Sequence, residues 1–196
     1  MRPRFPIALI AASVMLVSAS VLVLVLANQN KTLRAKQREL VDRILYPYPG
    51  LLVPEMRVVS IAGDTSVIGS AKAAKSELLF FFTTSCDFCK RSLPAWNALA
   101  DSLAVVRATS AVVYGVSLSS RDSTQAYAEE NNLRFRVVML TDPRMRTFYR
   151  ARAVPVTAVL GQNGRYSFVV LGAMTSSSTM DSVLRVARLA PMIGQR

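Results

Sequence analysis

Residues 77–94 read ELLFFFTTSCDFCKRSLP. The stretch opens on an apolar run, Leu78 to Phe82, rich in aromatics and bounded by polar residues. That is the pattern of a strand buried on both faces. The run breaks at Thr83-Thr84-Ser85 and gives way to Cys86-Asp87-Phe88-Cys89. Beyond these, Leu93, Trp96, Leu99 and Leu103 recur at spacings of three, three and four, which line one face of a helix. A strand therefore runs into a helix, and the only two cysteines of the chain sit on the junction.

That position has a chemistry. The first N–H groups of a helix lack intrahelical partners and carry a partial positive charge, which favours a thiolate placed there. Cys86, at the exposed end of the helix, is the candidate nucleophile; Cys89, one turn further in, is placed to resolve a mixed disulfide by intramolecular attack. Lys90 and Arg91 add positive charge nearby and Asp87 opposes it. A purely structural disulfide across so short a loop would stabilise little. A closed zinc site needs four ligands, and the chain has no histidine and no further cysteine, so no metal is expected. The redox pair is the reading the spacing favours, and it calls for no cofactor.

The stretch resembles the active site of the thioredoxin superfamily, in its membrane-anchored TlpA/ResA-like branch. A second match follows downstream at Ala153-Val154-Pro155-Val156-Thr157, ahead of strand-like Ala158-Val159-Leu160, which resembles that family's cis-proline loop. The resemblance covers about residues 77 to 190. It implies a thioredoxin-like α/β fold, a thiol-disulfide oxidoreductase activity on protein substrates, and a docking groove at Val154 and Pro155 facing the cysteines. The chain also departs from the family's pattern. Ser85 stands where the family usually has Trp, Ser92 where ResA-like members often carry Glu, and no acid lies in Leu78–Phe82, where thioredoxin has a buried Asp. These departures bear on redox potential and direction rather than on reaction class.

Around this centre the chain divides into four parts. Residues 1–6 are a short basic tail. Residues 7–27 run without a charge, rich in Leu, Val and Ala, and as a helix would measure about 31 Å, enough to cross a bilayer core. A cleavable signal has a shorter apolar core, so an uncleaved signal anchor is expected, although Val25-Leu26-Ala27 resembles a cleavage site. Residues 28–55 read as a stalk and a proline-rich linker: helical spacing and basic residues through Leu45, where lipid phosphates would be met favourably, then Tyr46-Pro-Tyr-Pro-Gly50 and Pro54, which end the helix. Residues 56–196 form the folded domain.

Positive residues flank both ends of the apolar span, and their count alone would leave the domain in the cytoplasm. Long domains translocate largely regardless of charge. With a disulfide-capable pair in the domain, an extracytoplasmic, periplasmic placement is expected.

Within the domain, Val58–Ile61 and Thr65–Ile68 flank Gly63-Asp64 and read as an N-terminal hairpin. Pro94 is expected to kink the cysteine helix. Ala111–Leu118 is a buried strand, Ser123 a candidate cap for a helix over 124–131, and Phe135–Leu140 a short strand. Asp142-Pro143 opens a turn or helix. Val156–Leu160 and Tyr166–Leu171 flank Gly161-Gln-Asn-Gly164 as a second hairpin, and Met180–Leu189 is a closing helix with Val183, Leu184 and Ala187 inward. Strands alternating with helices predict a mixed central sheet covered on both faces.

A net charge of +12 raises nucleic-acid binding, but no nucleic-acid motif accompanies it and the apolar span places the chain at a membrane, whose anionic surface accounts for the charge more simply. Two other functions compete with disulfide exchange. Thr83 stands three residues before Cys86, as in the T-x-x-C pattern of peroxiredoxins, but position 79, where those enzymes want Pro, is Leu. A non-catalytic binding module or chaperone on the same scaffold is the third reading, since fold alone does not fix function.

Overall fold

The computed structural model describes residues 7–71, 75–105 and 111–189. The basic tail, part of the connection before the central strand, Arg107 and the last seven residues lie outside them. The chain forms two compact units, meeting at Ile44 and Leu45.

The first unit is one helix, α1 (Ile7–Leu45), so the uncharged span and the basic stalk are continuous. Leu9–Leu45 is long and apolar enough to cross a membrane. Three hydroxyls within the apolar part return to their own helix. Ser13 Oγ donates to Leu9 O at 2.8 Å, Ser18 Oγ to Met15 O at 2.9 Å and Ser20 Oγ to Leu16 O at 2.8 Å. No hydroxyl of these three would face lipid unpaired, which is what hydrocarbon demands.

The second unit is built on a seven-stranded sheet. Its strands are β1 (Met56–Ser60), β2 (Thr65–Ile68), β3 (Glu77–Phe82), β4 (Val112–Ser117), β5 (Arg136–Met139), β6 (Val156–Leu160) and β7 (Tyr166–Leu171), in the order β2-β1-β5-β4-β3-β6-β7. β3, β4 and β5 are parallel; the two hairpins close the edges antiparallel. All six residues of β3 are buried, as the unbroken apolar run requires of a central strand. Side chains alternate between two cores. Leu79 and Phe81 join Val58, Val116, Val138, Tyr149 and Tyr166 on one face. Leu78, Phe80 and Phe82 join Trp96, Leu99, Tyr127 and Val183 on the other. The second face is covered by α2 (Asp87–Ala104), α3 (Arg121–Glu130) and α5 (Ser177–Leu189); Tyr149, just after α4 (Pro143–Phe148), packs into the first.

α2 continues through Pro94 to Ala104. Most expected elements stand within a residue or two of their sequence positions, and two details differ. α3 starts at Arg121 and is capped by Ser120, whose Oγ accepts from Ser123 N, so Ser123 lies inside the first turn rather than capping it. The proline-rich segment after α1 joins the folded unit: Val53 is buried, Gly50 N donates to Tyr166 O at 2.7 Å, and Val53 N donates to Gly164 O at 2.9 Å. Arg150 adds to this, its guanidinium 4.9 Å from the centre of the Tyr48 ring.

β3 also begins one residue before its apolar run, at a buried carboxyl. Glu77 accepts from Gly69 N at 2.8 Å, at a turn where φ is +80° and glycine is the favoured residue. Burial pushes the carboxyl up to about 7 against that hydrogen bond. Glu77 opens the strand and the cysteine junction follows its other end, about 17 Å away along the chain, so this acid serves the fold rather than the thiols. Between about pH 4.5 and 7 the folded chain holds a proton that the unfolded chain has lost. Stability contributed by Glu77 is therefore full below the lower value and falls as pH rises through the window, by about 3 kcal/mol at most. Glu77→Gln keeps an acceptor for Gly69 and cannot ionise. Urea midpoints measured across the window should fall with pH in the wild type and stay flatter in the variant; parallel curves would contradict this account of Glu77.

Candidate active site

The site lies where β3 ends and α2 begins. Cys86 is the N-cap of α2, in extended backbone, and its Sγ accepts from Cys89 N at 3.1 Å. A sulfur here fills the role that Ser or Asp oxygens usually take at a helix start. Both cysteines are free thiols, Cys86 half-buried and Cys89 fully buried. Burial pushes the Cys89 thiol well above its ordinary range, and the neighbouring Cys86 pushes it the same way. The pair is thus asymmetric: one cysteine is half-buried at the positive end of a helix, and the other sits one turn behind it in the core.

The two motifs the sequence singled out come together. The Val154–Pro155 peptide is cis, and Cys86 Sγ lies 3.8 Å from Val154 O. Pro155 is buried and Val154 half-buried. In this dithiol form the Cys86 thiol is directed at the Val154 carbonyl. Lys90 and Arg91 hydrogen-bond neither sulfur. Lys90 Nζ lies 3.9 Å from Glu130, and the Arg91 guanidinium stacks 4.2 Å from the centre of the exposed Phe88 ring.

Contacts that sequence reasoning missed hold the junction in place. Trp96, on the inward face of α2, stacks on Phe80 at 4.9 Å and donates Nε1–H to Thr157 Oγ1 at 2.9 Å, tying α2 to the strand after Pro155. Ser92, fully buried, donates to Phe88 O at 3.1 Å and accepts from Met174 N at 3.0 Å, which fixes the loop after β7 against α2. Thr84 N and Oγ1 both reach Ser119 Oγ, at 3.0 and 3.2 Å. Periodicity marked Trp96 as core, but no pattern in the sequence names its partner. Among the described residues no cluster of three or more His, Cys, Asp or Glu could hold a metal ion.

This geometry, a thiol pair at a strand-to-helix junction facing a cis-proline loop on a mixed sheet, is that of a thioredoxin-like fold. Residues 49–170 match the model of the AhpC/TSA family, and the chain belongs to that family of thioredoxin-like proteins. The chain is 28% identical over 130 residues to the thioredoxin-like protein YneN of Bacillus subtilis, covering 64% of this chain and 73% of that one. Among solved structures it is similar to StoA from Bacillus subtilis, with a TM-score of 0.57 at 19% identity, over 68% of this chain and 98% of that one. It is likewise similar to the thioredoxin domain of a thiol-disulfide oxidoreductase from Bacteroides vulgatus, with a TM-score of 0.60 at 16% identity, over 72% and 99%.

Proposed function

We propose that this protein is a membrane-anchored thiol-disulfide oxidoreductase that exchanges disulfides with partner proteins through Cys86 and Cys89. The observation that carries the reading is the asymmetry of the pair: a half-exposed Cys86 capping α2, with Cys89 fully buried one turn behind it. Cys86 is the nucleophile, attacking a partner's disulfide or being attacked when oxidised. Cys89 resolves the resulting mixed disulfide. The segment around Val154 and Pro155 forms the groove along which the partner's backbone lies, in the manner of an added strand. Support for it comes from the approach of Cys86 Sγ to Val154 O and from the similarity to the thioredoxin domain of a thiol-disulfide oxidoreductase. In Cys89→Ser the mixed disulfide has no resolving thiol, so the variant should accumulate a reductant-sensitive adduct on Cys86 with its partner. Absence of any adduct, with Cys86 reactive to an alkylating reagent, would contradict exchange with proteins.

In this reading the apolar part of α1 crosses the membrane once, and the thiols face the extracytoplasmic side. Protease added to intact spheroplasts should then digest the domain; a protected domain would place it in the cytoplasm.

The AhpC/TSA match and Thr83, three residues before Cys86, favour a second reading, a thiol peroxidase. There Cys86 would reduce hydrogen peroxide, pass through a sulfenic acid, and condense with Cys89 to a disulfide. Reaction with peroxide faster than with a protein disulfide would select it.

A further inference from the structure

The chain leaves the carboxyl ends of β4 and β5 towards opposite faces of the sheet. After β4 it enters α3, whose Tyr127 packs into the core beside α2; after β5 it runs through α4 to Tyr149, which packs into the other core. Such a divergence opens a crevice beyond the strand ends, which is where open α/β sheets bind their ligands. Here the crevice has a volume of about 340 Å³, and Arg57, Ser119, Ser120, Arg121 and Thr141 line it.

Two arginines build its surroundings. Arg146 ties the loops after β4 and β5 together, donating to Leu118 O at 2.8 Å and to Leu140 O at 3.2 Å. Arg121 holds the turn after β1, donating to Ser60 O and Ile61 O, both at 3.1 Å. Arg57 is different. The pairing of β1 with β5 carries it past the end of β5, level with Thr141. It is exposed, and its guanidinium makes no hydrogen bond or ion pair among the described residues. Glu55 and Asp142 line an adjoining cavity with Arg57, yet neither pairs with it. Asp142 instead caps α4, accepting from Arg144 N at 2.8 Å. The fold therefore leaves the Arg57 charge uncommitted at the crevice.

The crevice adjoins the cysteine turn. Ser119 Oγ, on its wall, meets Thr84 N at 3.0 Å and Thr84 Oγ1 at 3.2 Å, and Thr84 stands two residues before Cys86. Cys86 follows β3 and Arg57 lies on β1, three strand spacings away, or about 14 Å. An extended chain covers that span in about four residues. We propose that the crevice holds a carboxylate side chain of the partner protein against Arg57, so that disulfides with an acidic residue about four positions from the cysteine are preferred. The inference rests on the disulfide-exchange reading above and names the chemistry of the partner. A guanidinium offers a carboxylate paired donors as well as charge, and the hydroxyls of Ser119 and Thr141 add neutral donors beside it. The net charge of +12 favours an acidic partner in the same sense.

The test uses reduced full-length chain in detergent. The probes are symmetric disulfide dimers of short peptides, each with one cysteine and a single Glu or Gln two to six positions from it on either side. Each reaction converts the two thiols of the protein to the Cys86–Cys89 disulfide and frees two peptide thiols, so acid quenching and weighing follow it. The best-placed Glu peptide should react about 5-fold faster than its Gln counterpart at low salt, and the gain should shrink as salt screens the pair. In Arg57→Gln the ratio of the Glu to the Gln rate should fall to within about 2-fold of one, and in Arg57→Glu a Lys peptide should gain instead. Equal rates for Glu and Gln at every position in the wild type would overturn the proposal. A Glu preference that survives Arg57→Gln would also overturn it, because the carboxylate would then bind elsewhere. If the wild type oxidises with none of the peptides, the Gln series included, the failure belongs to the disulfide-exchange reading instead.

Discussion

Cys86→Ser should abolish disulfide exchange, with a loss of about a thousandfold or more. A serine hydroxyl can still cap α2 and accept from Cys89 N, so the helix start should survive and the loss should be chemical. The remaining thiol cannot substitute. Cys89 is fully buried, its ionisation is raised by burial, and it is one turn removed from the helix start. The chain offers no third cysteine. Exchange with a protein disulfide, followed by mass, measures the loss. Alkylation supplies the companion result: reduced wild type should label at Cys86 first, and in Cys86→Ser labelling should be slow until the chain is unfolded. Rapid labelling of Cys89 in the folded variant would reverse the two roles.

Trp96→Ala should destabilise the domain by about 3–5 kcal/mol. That is a large part of the 5–15 kcal/mol typical of a whole domain. Trp96 is fully buried, stacked on Phe80 at 4.9 Å and 6.4 Å from Phe82, so truncation leaves a cavity beneath the strand that carries the cysteine junction. It also leaves the buried Thr157 hydroxyl without its indole partner. Thr157 follows Pro155 by two residues, so the same change loosens the loop that faces Cys86. Urea unfolding measures the stability term. Exchange assayed where the variant is still folded should show a further loss with protein substrates, because α2 and the strand after Pro155 are no longer tied. A loss below about 1 kcal/mol would mean that the core collapses around the gap and that Trp96 is not the tie between them.

Much of this arrangement was legible in the sequence because local pattern and tertiary role agree there. β3 is buried on both faces and carries no polar interruption from Leu78 to Phe82, and the α2 periodicity points Leu93, Trp96, Leu99 and Leu103 into one core. The two hairpins announce themselves by glycine at their turns, and β6 and β7 fall on the residues expected of them. What was hidden depends on partners distant in the chain. Ser92 reads as an ordinary helix serine until the loop at Met174, 82 residues on, is folded against it. Glu77 reads as the polar boundary of a strand, and only the turn at Gly69 reveals that it is inside. Ser120 and Ser123 are both plausible caps in a serine-rich loop, and the choice falls to Ser120 because the helix begins at Arg121. Tyr127 is one aromatic among several, and only packing shows that its hydroxyl lacks a partner.

Cys86 and Cys89 should behave as one redox couple. Full-length protein equilibrated in detergent across glutathione redox buffers, then acid-quenched and weighed, tests this. A single two-electron equilibrium is expected, in which two hydrogens are lost and the Cys86–Cys89 disulfide replaces both thiols, with the glutathione adduct only transient. Two free thiols at every ratio, or a stable adduct on Cys86 with Cys89 still reduced, would contradict it.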